Sequence, residues 1–99
     1  MIKENLSNPP TIKQLAKQAG ISEAGFRKRF RKEIGSSPLD YVNRRRVEEA
    51  KRLMTADDAN IKEIAHNMGF SSRQYFSTVF KRVTGISPGE FVGNLRKAV

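Results

Sequence analysis

The sequence lacks cysteine and has a single histidine, His66. Without cysteine there can be no disulfide bonds or thiolate metal sites, and one histidine cannot form a zinc-binding cluster. No apolar run approaches the roughly 20 residues that cross a bilayer, and the N-terminal stretch MIKENLSNPP lacks the apolar core of a signal peptide. These absences predict a soluble, cytoplasmic protein with no metal site and no membrane-spanning segment.

Groups that would carry catalysis are also missing from the sequence. There is no glycine-rich phosphate loop and no Ser/His/Asp constellation, and no catalytic partner is apparent for His66, which we expect to be a surface residue. We therefore expect that the protein is not an enzyme and uses no cofactor.

Positive charge is what the chain has in excess. It carries 19 Lys and Arg against 10 Asp and Glu, a formal net charge of +9 over 99 residues. Such a balance favours a polyanionic partner, either nucleic acid or an anionic membrane surface. Hydrophobic residues make up 37% of the chain, enough for one folded domain spanning residues 1–99.

The chain repeats itself once. Residues 11–42 resemble residues 60–92, first at an offset of 49 positions and then at an offset of 50. We expect the one additional residue near Tyr75, at the start of a helix. The earlier matches include Gly20 with Gly69, and the later ones include Phe30 with Phe80.

Each copy of the repeat predicts two short helices separated by a tight turn. Gly20 and Gly69 follow the first helix, where glycine adopts the left-handed conformation at little cost. A serine then caps the second helix, Ser22 in the first unit and Ser71 in the second. The apolar spacings predict inward faces comprising Ile12, Leu15, Ala16, Ala19, Phe26, Phe30 and Ile34 in the first unit, and Ile61, Ile64, Ala65, Met68, Phe76, Phe80 and Val83 in the second.

This pattern is that of a helix-turn-helix, in which the second helix enters the DNA major groove. We predict an all-α fold with two such units, at residues 11–36 and 60–85. A long connector helix at residues 37–55 joins them, opened by Ser37 and Pro38, with Val47, Ala50, Leu53 and Met54 facing inward. A last helix is expected at residues 87–97.

The outward faces of the two second helices supply candidate DNA contacts. The side chains that could contact bases are Ala24, Arg27, Lys28, Arg31, Arg73, Gln74, Ser77 and Thr78. The candidates for phosphate contacts are Lys13, Arg44, Arg45, Lys62 and Lys81, with one contact expected within the run from Arg44 to Arg46. Any one of these charges taken alone could instead be a solvated surface residue.

The second unit resembles a known family. It combines I-x-x-I-A-x-x-x-G-F, Y-F-S-x-x-F-K and G-x-S-P-x-x-F, and the connector RRVEEAKRLM is similar to R-L-x-x-A-x-x-L-L. Together these patterns resemble the DNA-binding domain of AraC/XylS-type bacterial transcriptional regulators.

The resemblance implies sequence-specific binding of double-stranded DNA for transcription regulation, with the two recognition helices in successive major grooves. It implies about seven helices, the first truncated here, so that the chain is expected to be the C-terminal output domain of a longer regulator or else a truncated stand-alone version. A sensor or dimerisation domain and RNA polymerase would then be further partners. By position, it places base contacts at Ala24, Arg27, Lys28, Arg73, Gln74, Ser77 and Thr78.

Two other functions stay open on the residues alone. A nucleic-acid binder without sequence preference would use the same net charge. A membrane-active or protein-interaction helix module would need a continuous basic amphipathic helix, whereas the basic helices predicted here are short.

Overall fold

The computed structural model describes residues 8–97. In this part of the chain there are six helices and no strand, which confirms the all-α prediction. They are α1 (Ile12–Ala19), α2 (Glu23–Ile34), α3 (Pro38–Leu53), α4 (Ile61–Asn67), α5 (Arg73–Thr84) and α6 (Pro88–Lys97). The truncated first helix of the expected seven falls on residues 1–7 and lies outside the described residues.

Pairs α1–α2 and α4–α5 form the two helix-turn-helix units, and α3 connects them. Helix α3 packs against α2 on one side and against α4 and α5 on the other. The described residues extend over 50 × 28 × 22 Å, an elongated shape that fits two units placed one after the other. This arrangement confirms two helix-turn-helix units joined by a long helix.

Local signals in the sequence explain where the helices begin and end. Thr11 and Gln14 form a capping box at the start of α1, each side chain bonding the other's backbone N–H. Gly20 and Gly69 have φ angles of 72° and 88°, so both turn glycines occupy the left-handed region as predicted. Ser37 caps α3 by accepting a hydrogen bond from the Asp40 N–H at 3.2 Å.

The start of α5 differs from the prediction by one residue. Ser72, not Ser71, is the N-cap, because its hydroxyl accepts the Tyr75 N–H at 3.0 Å. In the first unit Ser22 accepts the Gly25 N–H in the same way. The additional residue of the second unit therefore lies in the turn between Gly69 and Ser72, and the prediction that it lies near Tyr75 within the helix was wrong.

The second unit and α3 enclose a continuous core. Phe76 and Phe80 of α5 are 0% exposed, and they pack with Val47 and Ala50 of α3, also 0% exposed. Met54 is buried and Leu53 packs against the core at its edge, as predicted for the connector. Val83 is an exception, since it is 36% exposed. Val79, one turn earlier in α5, is buried instead.

The first unit is packed more loosely. Ala16 is buried, but none of the residues of α2 is, and Phe26 and Phe30 are only half-buried. Ile34 and Ala19 were expected to face inward and are exposed, Ile34 to 52%. Both are the last residue of their helix, where the chain turns away at a left-handed glycine.

Candidate nucleic-acid interface

The two second helices, α2 and α5, present equivalent faces. Because Ser22 and Ser72 cap them in the same way, residues 50 positions apart occupy the same place in each helix. The matched pairs are Ala24 with Gln74, Arg27 with Ser77, Lys28 with Thr78, and Arg31 with Lys81. The outward faces thus superpose position by position, although no residue is identical between them.

These side chains lie on the side of each helix away from its phenylalanines. Seven of the eight base-contact candidates are exposed, and Ser77 is half-buried. At about 100° per residue the candidates of α2 form one continuous stripe opposite Phe26 and Phe30. Those of α5 form the equivalent stripe opposite Phe76 and Phe80, except Arg73, which is the first residue of the helix and lies to one side of the stripe. Both stripes are therefore accessible to a partner along the length of the helix.

The chemistry of the two stripes differs. Helix α2 carries five basic and two acidic side chains, and its stripe offers Arg and Lys donors only. The stripe of α5 adds Gln74, Ser77 and Thr78, which can both donate and accept. The Thr78 hydroxyl already donates to the Gln74 carbonyl at 3.0 Å, which leaves its oxygen as an acceptor toward solvent.

The phosphate candidates are distributed over four helices, α1, α3, α4 and α5. Lys13 and Lys62 are exposed and each is the second residue of the first helix of its unit. Lys81, predicted as a phosphate contact, is exposed at the place that corresponds to Arg31, predicted as a base contact. The two predictions therefore assign different roles to one equivalent position.

The basic run of α3 divides between surface and interior. Arg44 and Arg45 are exposed, with Arg45 Nη1 lying 3.7 Å from Glu48 Oε2. Arg46 points inward and is 9% exposed, so it is not a candidate for a phosphate contact. Burial lowers the pKa of Arg46 from its ordinary value, and the nearby Tyr75 hydroxyl opposes that shift.

Sequence reasoning missed a polar junction between α3 and the second unit. The guanidinium of Arg46 lies over the Phe70 ring, 5.3 Å from its centroid. Asn43 is 4% exposed and its Nδ2 donates to the Tyr75 hydroxyl at 3.5 Å. Helical spacing could have revealed both residues, because Asn43 and Arg46 share the face of Val47 and Ala50.

Metal-binding clusters and membrane-spanning helices are absent from residues 8–97. That segment holds no group of three or more His, Cys, Asp or Glu side chains able to bind a metal ion. His66 is exposed near the end of α4, as predicted. None of the described helices is long and apolar enough to cross a membrane.

Comparison with known proteins agrees with this geometry. A family described as "Helix-turn-helix domain" matches residues 15–94. A putative AraC-like transcription regulator of Streptomyces lividans is 37% identical over 81 residues. The chain belongs to the AraC-type helix-turn-helix DNA-binding domains.

Two further members show the likeness in sequence and in structure. The HTH-type transcriptional activator RhaR of Klebsiella pneumoniae is 34% identical over 95% of the AraC-type chain described here. The DNA-binding domain of AdpA, a global transcriptional factor solved in complex with a target DNA, is similar with a TM-score of 0.82 and 32% identity, over 94% of this chain and 84% of that one.

The relatives are much longer than the part that matches. This chain spans 27% of the Streptomyces lividans protein and 34% of RhaR. The likeness therefore concerns one domain of these regulators.

Proposed function

We propose that this AraC-type domain binds double-stranded DNA in a sequence-specific manner to regulate bacterial transcription, with α2 and α5 in successive major grooves. The observation that carries the proposal is the pair of exposed, equivalent stripes on two helix-turn-helix units of one chain, in a fold shared with a domain solved on its target DNA.

The size of the domain fits two adjacent grooves. Helix α3 has 16 residues, which at 1.5 Å per residue is about 24 Å long. Together with the two units it gives the described chain a long dimension of 50 Å. Successive major grooves on one face of DNA are ~34 Å apart, so both recognition helices can bind the same duplex side by side.

The base contacts we propose are those of the two stripes. Arg27, Lys28 and Arg31 can donate to guanine O6 and N7, and the Ala24 methyl can pack on a thymine methyl. In α5, Gln74 suits adenine and Arg73 suits guanine, with Ser77 and Thr78 beside them. The phosphate contacts would come from Lys13, Arg44, Arg45, Lys62 and Lys81.

We further propose that the functional units are the first helix-turn-helix (residues 11–36), the connector (37–55), the second helix-turn-helix (60–85) and a final helix (87–97). In a longer regulator this domain would be the DNA-binding output, with a sensor or dimerisation domain and RNA polymerase as partners. Because bacterial DNA lies in the cytoplasm, the domain would act there, without catalysis of its own.

Two variants of α2 test base reading. Arg27 and Arg29 are exposed arginines on one helix, but Arg29 lies off the stripe and its Nε donates to Glu33 at 3.2 Å. Alanine at either position removes one positive charge, so the nonspecific attraction to DNA falls equally. Arg27→Ala should cost a further ~1 to 3 kcal/mol on the preferred sequence alone.

The preferred sequence is obtained by selecting bound duplexes from a random library. The measurement is the affinity for this selected sequence divided by the affinity for a random duplex, both at one fixed salt concentration. Arg27→Ala should lower that ratio about five- to 150-fold, while Arg29→Ala should leave it unchanged. If both variants keep the wild-type ratio, Arg27 does not read bases. If the wild-type chain itself shows no preference, the domain binds DNA without regard to sequence.

A further inference from the structure

The inward face of α3 is apolar toward its C-terminal end and polar before it. Val47, Ala50 and Met54 form its apolar half, within the core of the second unit. Asn43 and Arg46 continue the same face toward the first unit, and they are the buried polar and charged side chains of residues 8–97. The charge is therefore buried where the two units meet.

Arg46 lies beside elements of both units. Toward the second unit its guanidinium lies over Phe70, 5.3 Å from the ring centroid. Toward the first unit it lines an open, mostly apolar groove of about 420 Å³, together with Leu15 of α1 and Phe30 of α2. Arg46 thus contacts the second unit on one side and borders the groove of the first unit on the other.

Phe70 in turn supports the recognition helix α5. Its ring packs edge-on against Tyr75, with centroids 5.8 Å apart, and in a tilted arrangement against Phe76, with centroids 5.1 Å apart. Tyr75 follows Gln74 in α5 and its hydroxyl accepts a hydrogen bond from Asn43. One contact from α3 therefore reaches the first turn of α5 directly, through Asn43, and another reaches it through the Phe70 ring, next to the proposed base-reading side chains.

This junction is not required by the helix-turn-helix itself. Phe70 corresponds to Ile21, since each donates its N–H to the carbonyl of an equivalent alanine at 3.1 Å. Tyr75 corresponds to Gly25, because each follows its capping serine by three residues. The first unit forms the same turn without either aromatic ring, whereas in the second unit both rings contact α3 as well as the core.

Burying an arginine is a costly way to fill space. A buried charge loses its hydration, and an apolar side chain of similar volume is often as stable or more stable. The planar guanidinium, however, stacks on a ring in a defined orientation, which an aliphatic chain does not.

We propose that Arg46 is a positioning residue that fixes the angle between the two helix-turn-helix units, and with it the spacing of the two DNA elements that one chain can bind. The inference rests on the proposed function for its effect on DNA. Its effect on the angle between the units is independent of DNA.

The first test uses the DNA-free protein. Because the sequence has no cysteine, Gln18→Cys in α1 and Asn67→Cys in α4 provide two unique sites for spin labels on exposed positions. Pulsed electron paramagnetic resonance then gives the distribution of distances between the units. Arg46→Met should broaden that distribution relative to the labelled parent. Equal widths would overturn the proposal.

Lys51→Met is the matched control. Lys51 lies on the same helix and 5.9 Å from the Phe91 ring centroid, but its partner belongs to α6 of the second unit. Like Arg46→Met, the variant Lys51→Met removes one positive charge and one cation–π contact, but it leaves the contacts of Asn43 and Arg46 with the second unit unchanged. The distance distribution should stay as narrow as that of the parent, and broadening equal to that of Arg46→Met would count against a specific role for Arg46.

The second test measures spacing on DNA. The measurement is a ratio of two affinities. The first is for a DNA site that contains the preferred elements of both recognition helices, and the second is for the same site with one base pair inserted between the elements. Arg46→Met should reduce this ratio at least ~3-fold, as expected from losing a desolvated cation–π contact, and Lys51→Met should preserve it. An unchanged ratio in folded Arg46→Met overturns the proposal. No spacing dependence in the wild type would instead contradict the two-element function, and the label distances would still decide the role of Arg46.

Folding is checked by thermal unfolding. Should Arg46→Met not fold, Phe70→Leu removes the ring while keeping an apolar side chain, and Arg46→Lys keeps the charge without the planar group. Phe70→Leu should broaden the label distances as Arg46→Met does. Arg46→Lys should give an intermediate width, and wild-type behaviour of both variants would overturn the proposal.

Discussion

Replacing the equivalent phenylalanines Phe30 and Phe80 by alanine should destabilise the domain to very different extents. Phe80 is 0% exposed, and its ring packs edge-on against Phe76 and Phe91 at 5.7 and 5.6 Å. Phe30 is half-buried, and it packs against Phe26 at 6.0 Å and Tyr41 at 5.7 Å beside the open groove. The two residues thus have the same place in the repeat but different surroundings.

The magnitudes follow from burial. Truncating a fully buried phenylalanine costs about 3 to 5 kcal/mol, through lost transfer energy and the cavity left behind. At Phe30 part of the ring is already in water and the groove is already open, so we expect about half of that cost, ~2 kcal/mol. A domain of this size has about 5 to 15 kcal/mol of stability in total. Phe80→Ala therefore removes a large share of it.

Urea unfolding followed by circular dichroism measures both costs from the transition midpoint and slope. Should Phe80→Ala not fold, the pair Phe30→Leu and Phe80→Leu gives the same comparison at smaller amplitude. Equal destabilisation at the two positions would refute the conclusion that the first unit is the more loosely packed.

Two further predictions concern the turn and the DNA site. Gly69→Val should destabilise the domain by about 1 to 2 kcal/mol, because Gly69 has a φ of 88° that a β-branched residue adopts only under strain. The control is Gly93→Ala on α6, which has open space around its Cβ position and should be neutral or stabilising by up to about 1 kcal/mol. Thermal unfolding of the two variants measures the difference. Inserting about half a helical turn, ~5 base pairs, between the two DNA elements places the second element on the opposite face of the duplex. The affinity should then fall almost to that for a single element. If a gel-shift titration gives the same affinity with and without the insertion, the two units do not bind as one rigid domain.

The features that sequence predicted correctly are local ones. A glycine at positive φ, a serine that caps a helix and a proline in its first turn act within a few residues, so Gly20, Gly69 and Ser37 could be assigned from their neighbours. The one error of this kind, Ser71 in place of Ser72, arose because adjacent serines offer the same cap. Helix order and fold class follow from such signals together with the spacing of the apolar residues.

Features that depend on packing between units could not be predicted in this way. The spacing of the phenylalanines is the same in both units, yet only Phe76 and Phe80 are fully buried, because α3 covers the second unit more completely. Arg46 was grouped with Arg44 and Arg45 by its charge. Its inward direction follows from helix geometry, but the ring over which its guanidinium lies belongs to Phe70, 24 positions later in the chain.

The unequal stripes bear on the kind of DNA element that each unit would prefer. On the proposed function, α2 presents arginine and lysine donors, whose acceptors in the major groove are richest on guanine. Helix α5 presents Arg73 together with an amide and two hydroxyls, with which adenine and mixed sequences are compatible. A pair of identical units would favour two identical half-elements, whereas these two faces favour an asymmetric site. Binding by a single chain then has a defined direction along the DNA. The angle between the units that we propose Arg46 fixes would also define the spacing between the two DNA elements.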